Sequence, residues 1–303
     1  MLIILVPELE ALLAETDRIP GLIGRILARG RCRQLDGQSW QSDLLTGQTL
    51  PAAPLSRWFD CYDDAAGIWM RADPVHLRPD LNAVWLSPGG QLEASAAVFD
   101  HLQSLFAEEG LHLDLPQPQR GYLRLDRLPD CRFSAPWELS GQSLDQVLPV
   151  GPDARRWIRL MSECQVLLHQ ARTDQDQSLP GGLWLWGAGT LPERTGVTAR
   201  VGTLRSDDPV LLGLARWLGL VSDSSSTDQL PGDDGLCEWK VSHEQSAADN
   251  LERLEAWLLP AWRRLRRGRL DGLELAGRCS VWSLGTVDAW RFWQRPQMAE
   301  TTR

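Results

Sequence analysis

Short apolar runs of strand length alternate with amphipathic helical patterns along this chain, and no other feature constrains its fold as strongly. Residues 2–6 are a continuous apolar run that ends at Pro7, as expected for a strand covered on both faces. Apolar residues recur at helical spacing in residues 91–109 and 251–265, which indicates two amphipathic helices. The alternation predicts a layered α/β fold with a mostly parallel sheet and flanking helices.

Length and charge narrow the class of protein further. The 303 residues are predicted to form a single large α/β domain, 1–303, with a sub-domain boundary near residues 171–182. Residues 222–235 are acidic and of low complexity, which predicts a mobile surface loop.

The 40 acidic residues outnumber the 31 basic ones and give a net charge of −9. This charge opposes binding to nucleic acid or to an anionic membrane surface. Lys240 is the only lysine, so a Schiff-base lysine and a phosphate-loop lysine are nearly excluded.

The cysteines form neither a metal-binding nor a disulfide pattern. They are Cys32, Cys61, Cys131, Cys164, Cys237 and Cys279. No two of them lie closer than 29 positions, so zinc-type spacing is absent. No apolar stretch approaches the length of a membrane span, and residues 2–6 have no basic leader. The sequence therefore predicts a cytoplasmic protein with reduced thiols, no membrane segment and no cofactor.

The densest group of polar side chains contains Arg71, Asp73 and His76. These residue types suit either a shared metal or proton, or the binding of a phosphate or carboxylate. The alternative is structural: residues 72–80 form a turn between two strands, in which Asp73 caps its own backbone. We favour the structural alternative because the sequence offers no third metal ligand that can be located.

Two glycines, Gly187 and Gly189, follow a predicted strand at residues 183–186. Glycines after a buried strand allow a ligand to approach the backbone, although a simple turn needs them equally. If this strand and the one that ends at Arg71 belong to one parallel sheet, the loops that follow them emerge at the same edge. In that case Arg71, Asp73 and His76 would meet Gly187 and Gly189 and form a small anion site without a metal, which we keep as a hypothesis.

The C-terminal third is rich in tryptophan and arginine. Residues 261–270 contain five arginines, which suit an acidic partner or nucleic acid. The same arginines would also suit a helix C-terminus, where the helix dipole favours cations, and the net charge favours this interpretation over nucleic acid. An exposed aromatic patch around Trp257, Trp262, Trp290 and Trp293 would indicate a protein-interaction module.

Several stretches resemble one bacterial family, in order along most of the chain. They are residues 2–10, 69–80, 121–125, 163–170, 183–192 and 290–296. The family is that of regulatory proteins of the RpfE type, which are related to the cofactor-independent, archaeal-type phosphoglycerate mutases. The most specific pieces are residues 71–77 and 183–189. The resemblance implies a fold similar to that of alkaline phosphatase and the phosphomutases.

The enzymatic chemistry of that branch does not carry over with the resemblance. Its enzymes use two metal ions and have Asp-Gly after the first strand, whereas Pro7 and Glu8 follow residues 2–6 here. We therefore expect a phosphomutase-like fold without the metal site, and we favour a non-catalytic regulatory or binding protein. Two alternatives stay open: a phosphomutase- or phosphatase-like enzyme acting on a phosphorylated small molecule, and an interaction module that uses the C-terminal third. The expected partner is an anionic small molecule or another protein, and the oligomeric state stays open.

Overall fold

The computed structural model describes residues 1–62, 66–81, 84–93, 96–139, 142–172, 179–223 and 232–291. Its strands are β1 Leu2–Leu5, β2 Arg31–Gln34, β3 Ile68–Pro79, β4 Val84–Pro88, β5 His112–Gln117, β6 Arg120–Leu125, β7 Gly182–Gly189, β8 Thr203–Arg205, β9 Val221–Asp223, β10 Gly235–Glu238, β11 Gly272–Ala276 and β12 Ser280–Gly285. Its helices are α1 Leu9–Ala14, α2 Gly21–Arg29, α3 Trp40–Thr46, α4 Ala52–Cys61, α5 Ala96–Glu108, α6 Leu144–Val147, α7 Ala154–Ala171, α8 Pro209–Leu218 and α9 Ala247–Arg266. Short 3-10 turns occur at Pro136–Glu138 and Asp288–Trp290.

The chain divides into two compact units. The first unit comprises Met1–Thr49 and Arg194–Arg303, and the second comprises Leu50–Glu193. The segment near residues 171–182, where we expected a boundary, lies within the second unit, and its residues 173–178 are outside the described residues. Compactness alone does not make a unit an independently folding domain. A single large domain over residues 1–303 therefore stays a prediction.

The first unit is built on a seven-stranded sheet in the order β2-β12-β11-β1-β10-β8-β9. Strand β1 is parallel to β10 and β11, and β8 is parallel to β10 and β9. Strand β12 is antiparallel to β11 and β2. The prediction of a mostly parallel sheet with flanking helices is confirmed in this unit. The fully buried β1 lies at the centre of the sheet, as its unbroken apolar sequence indicated.

Helix α9 buries one face in the core of the first unit, as its apolar spacing predicted. The stripe consists of Leu251, Leu254, Leu258, Trp262 and Leu265, all buried. It packs in one core with Leu273 and Leu275 of β11. Because Trp262 belongs to this buried face, the prediction of an exposed patch that includes it is wrong. Trp290 is 55% exposed, and Trp293 lies outside the described residues.

The second unit is built on an antiparallel sheet. Strand β3 pairs with β7 along one edge, and with β6 and then β4 along the other. Strand β5 completes the sheet by pairing with β6. The prediction that the strands before residues 72 and 187 belong to one parallel sheet is therefore wrong, because they are antiparallel neighbours.

The turn predicted at residues 72–80 is also wrong, since residues 72–79 belong to β3. Pairing with β6 ends at Ala72, and pairing with β4 begins at Val75. Pro74 lies between these two partners, so no ladder hydrogen bond is required of its missing N–H on that edge. A proline at this junction leaves the strand continuous.

Two further sequence predictions fall partly outside what the structure describes. Of the predicted mobile loop 222–235, residues 224–231 are not among the described residues; Ser222 and Asp223 belong to β9, and Gly235 begins β10. Residues 292–296 of the family-like C-terminal segment are also outside them. Within the described parts of the chain, none of the helices is long and apolar enough to cross a membrane.

Candidate functional site

One row of side chains crosses four strands of the second unit. The register aligns Asp114 of β5, Tyr122 of β6, Arg71 of β3 and Trp186 of β7. Directly paired residues share one face of a sheet, so these four side chains lie side by side. Helix α4 packs on this face, since its Ala53 belongs to the same buried cluster as Tyr122. The polar residues of β3 that we predicted as a site therefore lie under a helix.

Arg71 and Asp73 are bonded to each other in this row. Arg71 Nε donates to Asp73 Oδ1 over 2.8 Å, and Arg71 Nη2 donates to Asp73 Oδ2 over 2.9 Å. The indole N–H of Trp186 donates to Asp73 Oδ2 over 2.7 Å. The Arg71 guanidinium carbon also lies 5.6 Å from the Tyr122 ring centroid and 5.2 Å from that of Trp186. The cation is thus satisfied by one carboxylate and two aromatic rings.

Burial opposes the charge on both partners of this pair. It raises the pKa of Asp73, and by itself it would lower the pKa of Arg71. The charge and hydrogen bonds of Asp73, together with Tyr122, outweigh burial at Arg71, and the pKa of Arg71 lies above its ordinary value. The positive charge is therefore held in place by a carboxylate of the same strand.

Two further arginine–aspartate pairs lie on the same face. Arg120 makes two bonds to Asp60 of α4, of 2.8 and 2.6 Å, and the Tyr122 hydroxyl donates to the same carboxylate over 2.5 Å. Arg57 of α4 pairs with Asp114 over 2.7 Å. Burial raises the pKa of Tyr122, which keeps its hydroxyl protonated as a donor. We call these three pairs the arginine–aspartate cluster; its three cations face three carboxylates.

The two glycines of β7 make room for the start of α4. Gly187 has a φ of +66° and lies where the β3–β7 register shifts by one residue, as in a β-bulge. A Cβ on Gly187 would lie 3.2 Å from Cβ of Ala52, and one on Gly189 would lie 2.4 Å from Cβ of Pro51. The space beside these glycines, which we expected to admit a ligand, is filled by residues of the same unit.

The predicted proximity of the two motifs is confirmed, although the structural basis differs from the one we expected. Arg71 pairs with Trp186, next to Gly187, and Trp69 pairs with Gly189. His76 does not join them: it is exposed, and strand alternation places it on the face opposite Arg71 and Asp73. The structure thus brings together four of the five predicted residues, and the guanidinium of Arg71 among them is already paired with the carboxylate of Asp73.

A second group of polar residues lies at the carboxyl ends of β8 and β10 in the first unit, where ligands gather in open parallel sheets. Its members are Ser206, Asp207, Asp208, Glu238 and Lys240, and we call it the edge cluster. The Ser206 hydroxyl donates to Glu238 Oε2 over 2.5 Å and accepts the N–H of Asp208 over 3.0 Å. Lys240 pairs with Asp207. Burial, with smaller contributions from Asp208 and Asp207, raises the pKa of Glu238 to about 7.

Gln41 of α3 lies beside this edge cluster. It is 1% exposed, and its Nε2 lies 3.4 Å from Asp208 Oδ2. Its Oε1 has no hydrogen-bond partner among the described residues. We did not expect this group from the sequence, although polar residues directly after two short buried strands were a signal that could have revealed it. The edge cluster carries three carboxylates against one ammonium.

Two further kinds of chemistry, metal binding and thiol catalysis, depend on groups of ligand side chains and on the pKa of the cysteines. Within the described residues, no group of three or more His, Cys, Asp or Glu side chains is arranged to hold a metal ion. Burial raises the pKa of Cys164 to about 12 and that of Cys237 to about 11. Thiols with such values are weak nucleophiles at neutral pH.

Comparison with known proteins gives likeness in structure only. No family model matches the sequence, and no curated protein matches it. A cofactor-independent phosphoglycerate mutase from Thermoplasma acidophilum DSM 1728 aligns with 15% identity and a TM-score of 0.41, over 94% of this chain and 89% of that one. The PH0037 protein from Pyrococcus horikoshii aligns with 13% identity and a TM-score of 0.45, over 94% and 86%. At these values, neither similarity assigns a role to any residue here.

Proposed function

We propose that this chain is a non-catalytic regulatory or binding protein on phosphomutase-like α/β layers, a cytoplasmic member of the RpfE-type family. The observation that carries the proposal is the arginine–aspartate cluster. An arginine binds an anionic substrate through N–H donors that are free to meet it. Here Arg57, Arg71 and Arg120 each have a carboxylate of the same unit within 2.9 Å.

The five residues expected to bind an anion are structural in this proposal. An anion that bound the Nε and Nη2 donors of Arg71 would have to displace Asp73 and leave that carboxylate buried without its partner, which is strongly unfavourable. Gly187 and Gly189 serve the packing of α4 against β7. The surface histidine, His76, is separate from the cluster.

The end of the first strand supports the same conclusion. Glu8, one of the two residues that follow the apolar run, lies with its Oε1 3.7 Å from Arg278 Nη2. Glu10 accepts backbone N–H bonds from Cys279 and Ser280, at 3.1 and 3.0 Å. These carboxylates hold the turn between β11 and β12, so their contacts are those of structural residues.

The second candidate function is an enzyme acting on a phosphorylated or otherwise anionic small molecule. One observation favours it: a pKa of about 7 at Glu238, beside the Ser206 hydroxyl, suits a general base. The charge of the edge cluster disfavours it, because Asp207, Asp208 and Glu238 would repel an anionic substrate. We therefore rank it below the binding protein.

An activity assay on the full chain tests the proposal. Phosphoglycerate mutase turnover and aryl phosphate hydrolysis should be measured with Mn²⁺, Mg²⁺ or Zn²⁺, with and without a chelator. We expect the wild type and Glu238→Gln to give the same background rate. Turnover that rises with added metal, disappears with the chelator and is lost in Glu238→Gln would replace the binding protein with the enzyme.

A further inference from the structure

A positively charged surface with exposed apolar side chains lies where α2, α9 and the turn Asp288–Trp290 meet in the first unit. Arg29, the last residue of α2, donates from Nη1 to the carbonyl of Ala289 over 2.7 Å. The guanidinium carbon of Arg266, the last residue of α9, lies 4.2 Å from the ring centroid of Trp290. We define the arginine–tryptophan surface as Arg25, Arg29, Arg266, Val287 and Trp290.

The three arginines of this surface concentrate positive charge. Burial, then Arg25 and Arg266, lower the pKa of Arg29, so these cations are close enough to repel one another. Within the residues that the structure describes, none of the three pairs with a carboxylate. The nearest acid of the turn, Asp288, accepts the N–H of Gly285 over 2.8 Å and pairs with Arg291 over 2.9 Å. A local excess of positive charge therefore exists in a chain whose net charge is −9.

Exposed apolar side chains accompany this charge. Trp290 is 55% exposed and Val287 is 71% exposed. Tryptophan and arginine are the residue types that most often contribute the energy of protein–protein interfaces. A surface that combines both is suited to a partner that supplies carboxylates together with apolar side chains.

Helix dipoles explain only part of this arrangement. Arg29 and Arg266 lie in the last turns of their helices, where cations are favoured whatever their function. Arg25 lies mid-helix and is exposed, so the dipole gives no reason for its charge. Nor does the dipole account for Val287 and Trp290, which leave apolar area in water.

We propose that the arginine–tryptophan surface binds an acidic, partly apolar segment of another protein. The proposal rests on the binding function proposed above and names its partner class. Nucleic acid is less well matched, because neutralising about three phosphates supports only weak binding at physiological salt, and the chain's net charge repels a polyanion. A peptide segment carries fewer charges and can cover Val287 and Trp290 with its own apolar side chains.

Fluorescence anisotropy tests the proposal with two labelled peptides, one alternating glutamate with leucine and the other alternating glutamate with serine. The full chain should bind the leucine peptide more tightly than the serine peptide. Its binding of the leucine peptide should be weaker at about 200 mM salt than at about 50 mM salt. The double variant Arg25→Glu/Arg266→Glu should weaken binding by at least about tenfold, and Trp290→Ala by about threefold or more. The matched control Arg18→Glu/Arg78→Glu changes the net charge equally at exposed arginines elsewhere and should bind like the wild type.

Each contrary result overturns the proposal in a recognisable way. Equal weakening by the control pair would mean that binding follows net charge alone. Tighter binding of single-stranded DNA or phosphatidylserine vesicles, lost in the same variants, would assign the surface to another class of partner. Peptide binding that appears only after deletion of residues 292–303 would mean that the chain's own end occupies the surface. No binding of either peptide by wild type would reject the surface, while the activity assay above would still stand on its own result.

Thermal unfolding of every variant separates binding from folding. Arg25, Arg266 and Trp290 are exposed, so their variants should melt with the wild type. If the Arg25→Glu/Arg266→Glu variant melts early, Trp290→Ala supplies the test in a folded protein. Weaker peptide binding by Trp290→Ala would then support the surface, and unchanged binding would reject it.

Discussion

The arginine–aspartate cluster and the edge cluster differ in how their charges are balanced. In the arginine–aspartate cluster, each of three guanidinium groups has its own carboxylate. In the edge cluster, Glu238 has a hydroxyl partner, and nearby Asp208 and Asp207 add negative charge while the Lys240 ammonium opposes it. The balanced group retains its charges under a helix, whereas the unbalanced one shifts the pKa of Glu238 to about 7.

The difference separates charges that hold a fold together from charges that can respond to the surroundings. A buried pair whose members satisfy each other gains little from a third charge and loses much if one partner is removed. A carboxylate such as Glu238, whose partner is a hydroxyl and whose pKa is about 7, instead exchanges its proton near physiological pH. From the sequence we expected ligand binding at Arg71 and Asp73 of the first group, whereas the pKa of Glu238 makes the second group the more responsive to pH.

The largest expected effect comes from removing one partner of a buried pair. Arg120→Met leaves Asp60, whose side chain is 1% exposed, without its cation. We expect the free energy of unfolding to fall by about 3–5 kcal/mol, measured by urea denaturation. Arg127→Met is the matched control, because Arg127 makes the same two-bond contact with Asp153 but is 62% exposed, and it should lose far less. Equal losses would mean that the cluster is no more than a set of surface pairs.

A smaller effect is expected from filling the space beside β7. Gly189→Ala would push a methyl group to 2.4 Å from Pro51 and lift the start of α4, the helix that carries Arg57 and Asp60. Overpacking of this kind costs about 1–3 kcal/mol, which chemical denaturation can measure. The control is Gly21→Ala, where nothing lies within 4 Å, and its stability should be unchanged or slightly higher. A neutral Gly189→Ala would indicate that α4 does not pack tightly over the arginine–aspartate cluster.

The smallest expected effect is the pH dependence of the edge cluster. The pKa of Glu238 is about 7 in the folded chain, against 4.5 for an ordinary glutamate, so the folded state holds the proton more tightly. Its contribution to stability is therefore complete below about pH 4.5 and is lost as pH rises through about 7, and about 1–2 kcal/mol of it is lost between about pH 6 and about pH 8. Glu238→Gln should remove this part of the pH dependence between about pH 5 and about pH 8, and Glu244→Gln, at an exposed glutamate, should retain it. Identical pH profiles for Glu238→Gln and the wild type would remove the contrast between the two groups.

Much of the fold could be predicted from local patterns. The apolar run of residues 2–6 indicated a strand buried on both faces, and β1 lies at the centre of the parallel sheet. The start of α8 is equally local: Asp208 caps the helix by accepting the N–H groups of Val210 and Leu211, and Pro209 is its first residue. These predictions succeeded because capping and burial of one face depend on residues close in sequence.

The turn at residues 72–80 shows where local patterns mislead. Two prolines among polar residues usually end a strand, and only the change of partner from β6 to β4 makes Pro74 acceptable within β3. The contacts of Arg71 and Asp73 could not be predicted in full for a similar reason. Its neighbour Asp73 was visible in the sequence, but Trp186, 113 positions further on, completes the contact.

By itself, the sequence determined the α/β class, the buried face of α9, the acidic net charge and the presence of two opposite charges, Arg71 and Asp73, two positions apart. Tertiary structure alone decided that the sheet around Arg71 is antiparallel, that α4 covers it, and that Asp60 meets Arg120 across 60 positions. The physical reason is the distance along the chain over which each effect acts. Periodicity and capping are set within a few residues of the chain, whereas the energy of a charge depends on which distant residues exclude water and supply its counter-charge.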